Sequence, residues 1–262
     1  MFIKFGLHLF ILLFIISCAE SESSLQINYI EHKKQDGDCE TDKYQNCVQI
    51  SFRYPEITLT ENETTEDKIN SKIFELIMQP ISKPIKAESI PELLDEFIND
   101  YKEFIKEAGV SQGWEVSRDI EVRYFNDDFI SIIYAEYSFL GGAHPNNFVM
   151  YSNFSLSSGE QLKLSDILID DYLPELTKIA EEEFRTLKKL DKNKSLNEAG
   201  FWFENESFII NNNFAIDNKN LTFYFNNYEI TAYAFGPTKL EIPLSKINHL
   251  ISDKGVLTKF RN

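Results

Sequence analysis

The chain has 262 residues, with 26 lysines and arginines against 42 aspartates and glutamates, a formal net charge of −16, and 43% apolar residues. That length can bury one large core or two smaller ones. The charge excludes nucleic acid and direct adhesion to anionic lipid headgroups; it favours a cationic partner approaching under electrostatic steering, or simply keeps a surface protein soluble.

Lys4 and the apolar run Phe5 to Ile16 form a basic n-region and an h-region too short to span a bilayer comfortably. Ile15-Ile16-Ser17-Cys18 resembles the bacterial lipoprotein cleavage signal, so residues 1–17 are expected to leave and Cys18 to carry the acyl chains; the alternative is a secretory peptide cut elsewhere. More than one chain on Cys18 gives stable anchoring, because each buried CH₂ contributes roughly 0.8 kcal/mol. Residues 18–24 read as a tether. The mature chain would hold 245 residues at a net charge of −17, since only Lys4 among charged residues is lost. The expected location is the bacterial cell envelope, facing the periplasm or the exterior.

In an exported chain Cys39 and Cys47 read as a disulfide closing a polar loop. A metal site is the weaker reading, with no second cysteine pair or histidine cluster nearby. Asp36-Gly37-Asp38-Cys39-Glu40-Thr41-Asp42 lacks the sixth-position glycine and twelfth-position glutamate of a calcium loop and reads as a solvated turn. No metal or cofactor is expected.

Leu25 to Ile30 and Val48 to Tyr54 alternate apolar and polar residues, predicting a hairpin that Pro55 and the run Thr58 to Thr65 end. Thr64 is a candidate cap for a helix over 65–79 with Ile69, Ile73, Leu76 and Ile77 on one face, broken by Pro80 and Pro84. Ser89-Ile90-Pro91-Glu92 reads as a capping box for a helix over 89–108, which Gly109 stops. Three strands follow over 114–154: Trp114 to Tyr124, Phe129 to Leu140 (apolar on both faces and so expected at the centre of the sheet) and Asn147 to Phe154. They predict an antiparallel meander packed under the two helices.

In the C-terminal part, Ser165 or Asp166 is expected to cap a helical turn. A helix from Leu173 to Leu190 turns Leu173, Leu176, Ala180, Phe184 and Leu187 inward. Strands Phe208 to Ile216 and Leu221 to Phe225 are joined by the turn Asp217-Asn218-Lys219-Asn220, a strand runs from Lys239 to Ile242, and Ser245 caps a last helix to Ile251. The fold class is α+β, with antiparallel sheets packed with helices in two closely associated halves, 25–153 and 154–262.

Three stretches carry a resemblance. They are Tyr137-Ser138-Phe139-Leu140-Gly141-Gly142-Ala143-His144, then Phe154 to Leu168 around Gly159, Leu162, Leu164 and Asp166, then Tyr228 to Pro237 followed by Leu240-Glu241-Ile242-Pro243. Together they are similar to the extracytoplasmic domain pair of RsiV-type anti-sigma factors, which bind lysozyme, and of PdaC-type peptidoglycan deacetylases. The resemblance covers roughly residues 45–250 and departs from the family at Phe139 and Pro145, both in the glycine corner. It implies two α+β halves meeting near 145–158, and lysozyme or a peptidoglycan-related ligand as partner. It implies neither parent activity. Anti-sigma function needs a cytosolic domain and a membrane helix, for which the chain is expected to have no room. Deacetylation needs a histidine pair, which His8, His32, His144 and His249 do not form.

The glycine corner and the second glycine-containing corner at 231–238 are therefore the candidate binding loops. The candidate ligand contacts are Tyr137, Gly141, Gly142, Ala143, His144, Tyr228, Tyr233, Gly236 and Pro237. The leading expectation is a non-catalytic, lipid-anchored envelope protein. One alternative is a glycan-modifying enzyme using His144 with an acid such as Asp166, Glu229 or Glu241; the other is a structural assembly lipoprotein.

Overall fold

The computed structural model describes residues 25–41, 45–60, 62–84, 86–109 and 112–261. The expectations for the leader, Cys18 and the tether lie outside these residues. A five-stranded sheet is formed by β1 (Leu25–Gly37), β2 (Cys47–Leu59), β3 (Trp114–Phe125), β4 (Phe129–Phe139) and β5 (Asn146–Ser155), in that spatial order. Between β2 and β3 the chain passes through α1 (Glu63–Ile77) and α2 (Ile90–Ala108). That length allows a crossover, and β2 and β3 pair in parallel, so the sheet is mixed where a purely antiparallel one was expected. β4 is flanked by β3 and β5, and the central position belongs to β3.

The even-numbered residues of β3 (Val116, Arg118, Ile120) join Ile69, Ile73, Leu93 and Phe97 of the helices in one buried core. The opposite face of the sheet carries Ser117, Asp119 and Glu121. The second half packs along the β5 side, and at the start of β4 Phe129 enters its core, built from α3 (Leu164–Ile167), α4 (Tyr172–Lys188), β6 (Phe214–Ile216), β7 (Asn220–Phe225) and β8 (Thr238–Pro243). β6, β7 and β8 form an antiparallel three-stranded sheet.

Several local expectations are corrected. Pro55 lies inside β2, which continues to Leu59. At Ile57 and Leu59 the backbone N–H groups turn away from β1 and bond the α1 side chains Asn70 and Glu66 at 2.9 and 2.8 Å. Pro55 shares their parity, so its missing N–H removes no ladder bond. Asn62 rather than Thr64 caps α1, accepting from the Thr65 N–H at 3.2 Å. Ser89 makes no side-chain cap, because Glu92 instead accepts from the Glu88 N–H at 2.9 Å; Gly109 closes α2 in the left-handed region as expected. Ser165 and Asp166 lie within α3, where Asp166 accepts from the Lys163 N–H at 2.7 Å.

In α4 only Leu176, Ala180 and Phe184 are buried, while Leu173 and Leu187 are 51% and 50% exposed. A 17-residue helix is roughly 25 Å long and overhangs strands of six residues at most. The strand expected from Phe208 is ordered as β6 only from Phe214, because Asn211 and Asn213 spend their amides on other backbone. The helix expected after Ser245 is two 3₁₀ turns, Leu244–Lys246 and Asn248–Leu250, with Leu244, Ile247 and Leu250 buried at threefold spacing.

Candidate functional site

β4 runs into the corner at Gly141 and Gly142, with φ of +83° and +125° that a Cβ would strain. A Cβ on Gly141 would also lie 2.8 Å from Gln112 Oε1. Pro145 then leads into β5. The second corner leaves β7 through Tyr228, itself at φ +65°, an uncommon conformation for a bulky side chain. It makes a 3₁₀ turn over Tyr233–Phe235 and reverses at Gly236, φ +69°.

These two corners, more than 80 residues apart in sequence, meet side by side. The His144 ring stacks on Tyr233 with centroids 4.0 Å apart and planes within 18°. Tyr228 completes the cluster 5.6 Å from Tyr233. His144 Nδ1 lies 3.1 Å from the Pro145 carbonyl, which can only accept, so Nδ1 donates there, and in the neutral ring Nε2 accepts from the Tyr228 hydroxyl at 3.2 Å. The Tyr233 hydroxyl donates to the same Pro145 carbonyl at 3.0 Å. Histidine and both tyrosines thus lock one corner to the other.

The join extends down the outer edge of β5. Asn226 accepts from the Val149 N–H at 2.7 Å and donates to the Val149 carbonyl at 2.9 Å. Asn213 accepts from the Tyr151 N–H at 2.7 Å. Side-chain amides from the second half therefore take the place of a sixth strand and keep the edge satisfied.

Beside the aromatic cluster lies an open groove of about 660 Å³. Its floor is the open sheet face at Ser117, Asp119, Tyr137 and Asn147, and its wall is the stretch Tyr233–Pro237. Phe148 and Phe235 on its rim are 38% and 68% exposed. Its carboxylates are already matched. Asp119 pairs with Arg53 Nη1 at 3.0 Å and Glu136 with Arg118 Nε at 2.7 Å. The site offers flat rings, hydroxyls and amides with little unpaired charge.

Of the candidate residues, Tyr137, Tyr233, Gly236 and Pro237 line the groove. His144 and Tyr228 form the cluster at its side, with Gly141, Gly142 and Ala143 in the adjoining turn, Ala143 exposed. Cys39 and Cys47 are joined by a disulfide at the β1–β2 tip, Cα atoms 4.8 Å apart. None of the acids considered as partners of His144 bonds it: Asp166 holds Lys163, Glu229 holds Asn211 and the Asn226 N–H, and Glu241 pairs with Lys239. Among the described residues no three histidine, cysteine, aspartate or glutamate side chains converge as a metal site. Sequence reasoning missed Ser117 and Asp119, although the alternation of β3 puts them on the face opposite Val116 and Arg118. It also missed Phe148, Phe235 and the two asparagines, which carry no pattern of their own.

The fold and groove define an α+β protein whose two halves are locked at a shared corner. Residues 41–147 match the family model described as deacetylase PdaC, and residues 165–245 match that of a protein of unknown function, DUF3298. A curated relative, the peptidoglycan-N-acetylmuramic acid deacetylase PdaC of Bacillus subtilis, is 25% identical over 142 residues, which are 53% of this chain but only 30% of that protein. A DUF3298-family crystal structure from Bacteroides fragilis superposes with a TM-score of 0.70 at 21% identity, covering 91% of this chain and 98% of that one. Another from Pseudomonas aeruginosa gives 0.65 at 16%, covering 88% and 95%. The chain is thus similar to PdaC in its first part and to DUF3298 proteins in its second, and it shares the fold of the DUF3298 structures.

Proposed function

We propose that this protein is a non-catalytic binding module of the bacterial cell envelope, anchored through lipid on Cys18, whose groove recognises a peptidoglycan-related glycan. The observation that carries the reading is the meeting of the two glycine corners, which gives exposed aromatic rings a fixed position beside a hydroxyl- and amide-rich floor. Sugars present C–H faces that stack on aromatic rings and hydroxyls that exchange hydrogen bonds with such groups. Charge neutrality in the groove favours a ligand without strong charge, and the name of the Bacillus relative supports peptidoglycan as its source.

Lysozyme is a second reading, supported by the net charge of −16, which would speed the approach of a cationic protein. An enzymatic reading rests on the name of the same relative, a protein of which the match covers less than a third. Co-sedimentation with purified peptidoglycan separates these. The wild-type chain should pellet with it, and Phe235→Ala, which removes a rim ring that is 68% exposed, should lose at least about tenfold in affinity, as expected for an aromatic anchor, with an unchanged melting temperature. Equal binding by both chains, or capture by lysozyme alone, removes the glycan reading. Release of acetate from the glycan would move the protein to the enzyme class.

A further inference from the structure

β1 is an edge strand of 13 residues, hydrogen-bonded to β2 alone. The Ile57 and Leu59 N–H groups point away from β1, and Asp38 donates to the Asn46 carbonyl at 2.8 Å. These bonds fix the parity of the ladder: in β1 the even residues bond β2. Ile27, Tyr29, Glu31, Lys33 and Gln35 therefore turn their backbone N–H and C=O groups outward, and no described residue pairs with those groups. The ion pairs Lys34–Asp95 and Lys102–Asp36 tie the strand to α2 on its helix-facing side and leave this edge open.

The charges along the edge are self-complementary. Glu31 and Lys33 project from one face, are exposed, and pair with each other at 3.2 Å, with Arg53 also 3.9 Å from Glu31. Within β1 two acids, Glu31 and Asp36, face two lysines, Lys33 and Lys34, so the strand is neutral in a molecule of net charge −16. The strand itself therefore adds no net repulsion between two copies. We infer that β1 pairs antiparallel with β1 of a second copy about a twofold axis at His32, extending the sheet across both molecules. That register sets Glu31 opposite the second copy's Lys33, Tyr29 opposite Gln35 and Ile27 opposite Gly37. Both members of each pair are outward-bonding residues, as an antiparallel ladder requires. Sliding the strands to the neighbouring outward registers sets Glu31 against Glu31 or Lys33 against Lys33, which is repulsive.

The lipid-anchored chain in density-matched detergent, studied by sedimentation equilibrium at concentrations on the order of 10 μM, should have twice the protein mass of one chain. Glu31→Lys and Lys33→Glu each place like charges opposite one another twice, and each should weaken the dimer about tenfold or more. The double swap, Glu31→Lys with Lys33→Glu, restores opposite pairs in the same register and should recover the dimer. Melting temperatures of all four chains check that the fold is intact. A monomeric wild-type chain, a dimer indifferent to the single swaps, or a double swap that stays dissociated would overturn the inference.

Discussion

Arg118 is buried beneath the helices, and every nitrogen of its guanidinium has an acceptor. It donates to the carbonyls of Ile77 and Gln79 at 2.5 and 2.7 Å, to that of Pro80 at 3.3 Å, and to Glu136 at 2.7 Å. It therefore serves the orphan carbonyls at the end of α1 and pins that end to the sheet. The Tyr134 hydroxyl donates to the same Glu136 oxygen at 2.7 Å. Glu136→Ala leaves a buried charge unpaired and should cost about 3–5 kcal/mol in urea unfolding, whereas replacing both Arg118 and Glu136 with apolar residues should cost less. Burial pushes the Tyr134 phenol well above its ordinary range, opposed by the Arg118 guanidinium and assisted by the Glu136 carboxylate. A raised folded-state value disfavours losing this proton in the native protein. The resulting stability is fully present below the unfolded value of about 10 and declines as pH rises beyond it. Unfolding measured across the alkaline range should show that decline, and Tyr134→Phe should flatten it.

At the scale of elements, the join between halves rests on amides that no sequence pattern announces. Asn226→Ala leaves the Val149 N–H without its partner, while the Val149 carbonyl keeps the Asn213 amide at 2.8 Å, and should cost about 1–3 kcal/mol. Hydrogen exchange should speed up at the Val149 amide while the Tyr151 amide, held by Asn213, stays protected. Equal protection of both would contradict the role given to Asn226. The disulfide lies elsewhere, at the far tip of the β1–β2 hairpin, and spans a separation of only 8 residues. Its reduction should cost about 2.5 kcal/mol in the loop-entropy account and leave the groove untouched.

What was legible follows the same division. Hydrophobic periodicity and glycine placement gave α1, α2 and the meander β3–β5, because a core-facing stripe is a local property of sequence. Pro55, Thr64 and Ser245 misled, because the effect of each depends on which neighbour receives its backbone groups. The aromatic cluster was half legible. Residues 137–144 and 228–237 were readable as corners, but their contact is made by packing across the two halves.

Over the whole molecule, charge is unevenly spread. α1 carries four acids and two lysines, α2 six acids and two lysines, whereas the groove carboxylates each face an arginine. These two helices thus hold −6 of the net −16, on the side of the sheet away from the groove. Anchoring also belongs to this scale: Cys18→Ser should move the protein from the membrane fraction to the soluble fraction, and unchanged fractionation would refute the lipid anchor. The central claim, that the two corners frame a glycan site, is tested most directly by titrating isotope-labelled protein with a soluble peptidoglycan oligosaccharide and following the backbone amides. The account predicts saturable shifts at Tyr137, Gly141 to His144, Asn147 and Tyr233 to Gly236, with α1 and α2 unmoved. Shifts confined to the helices, or no shifts while the protein remains folded, would contradict it.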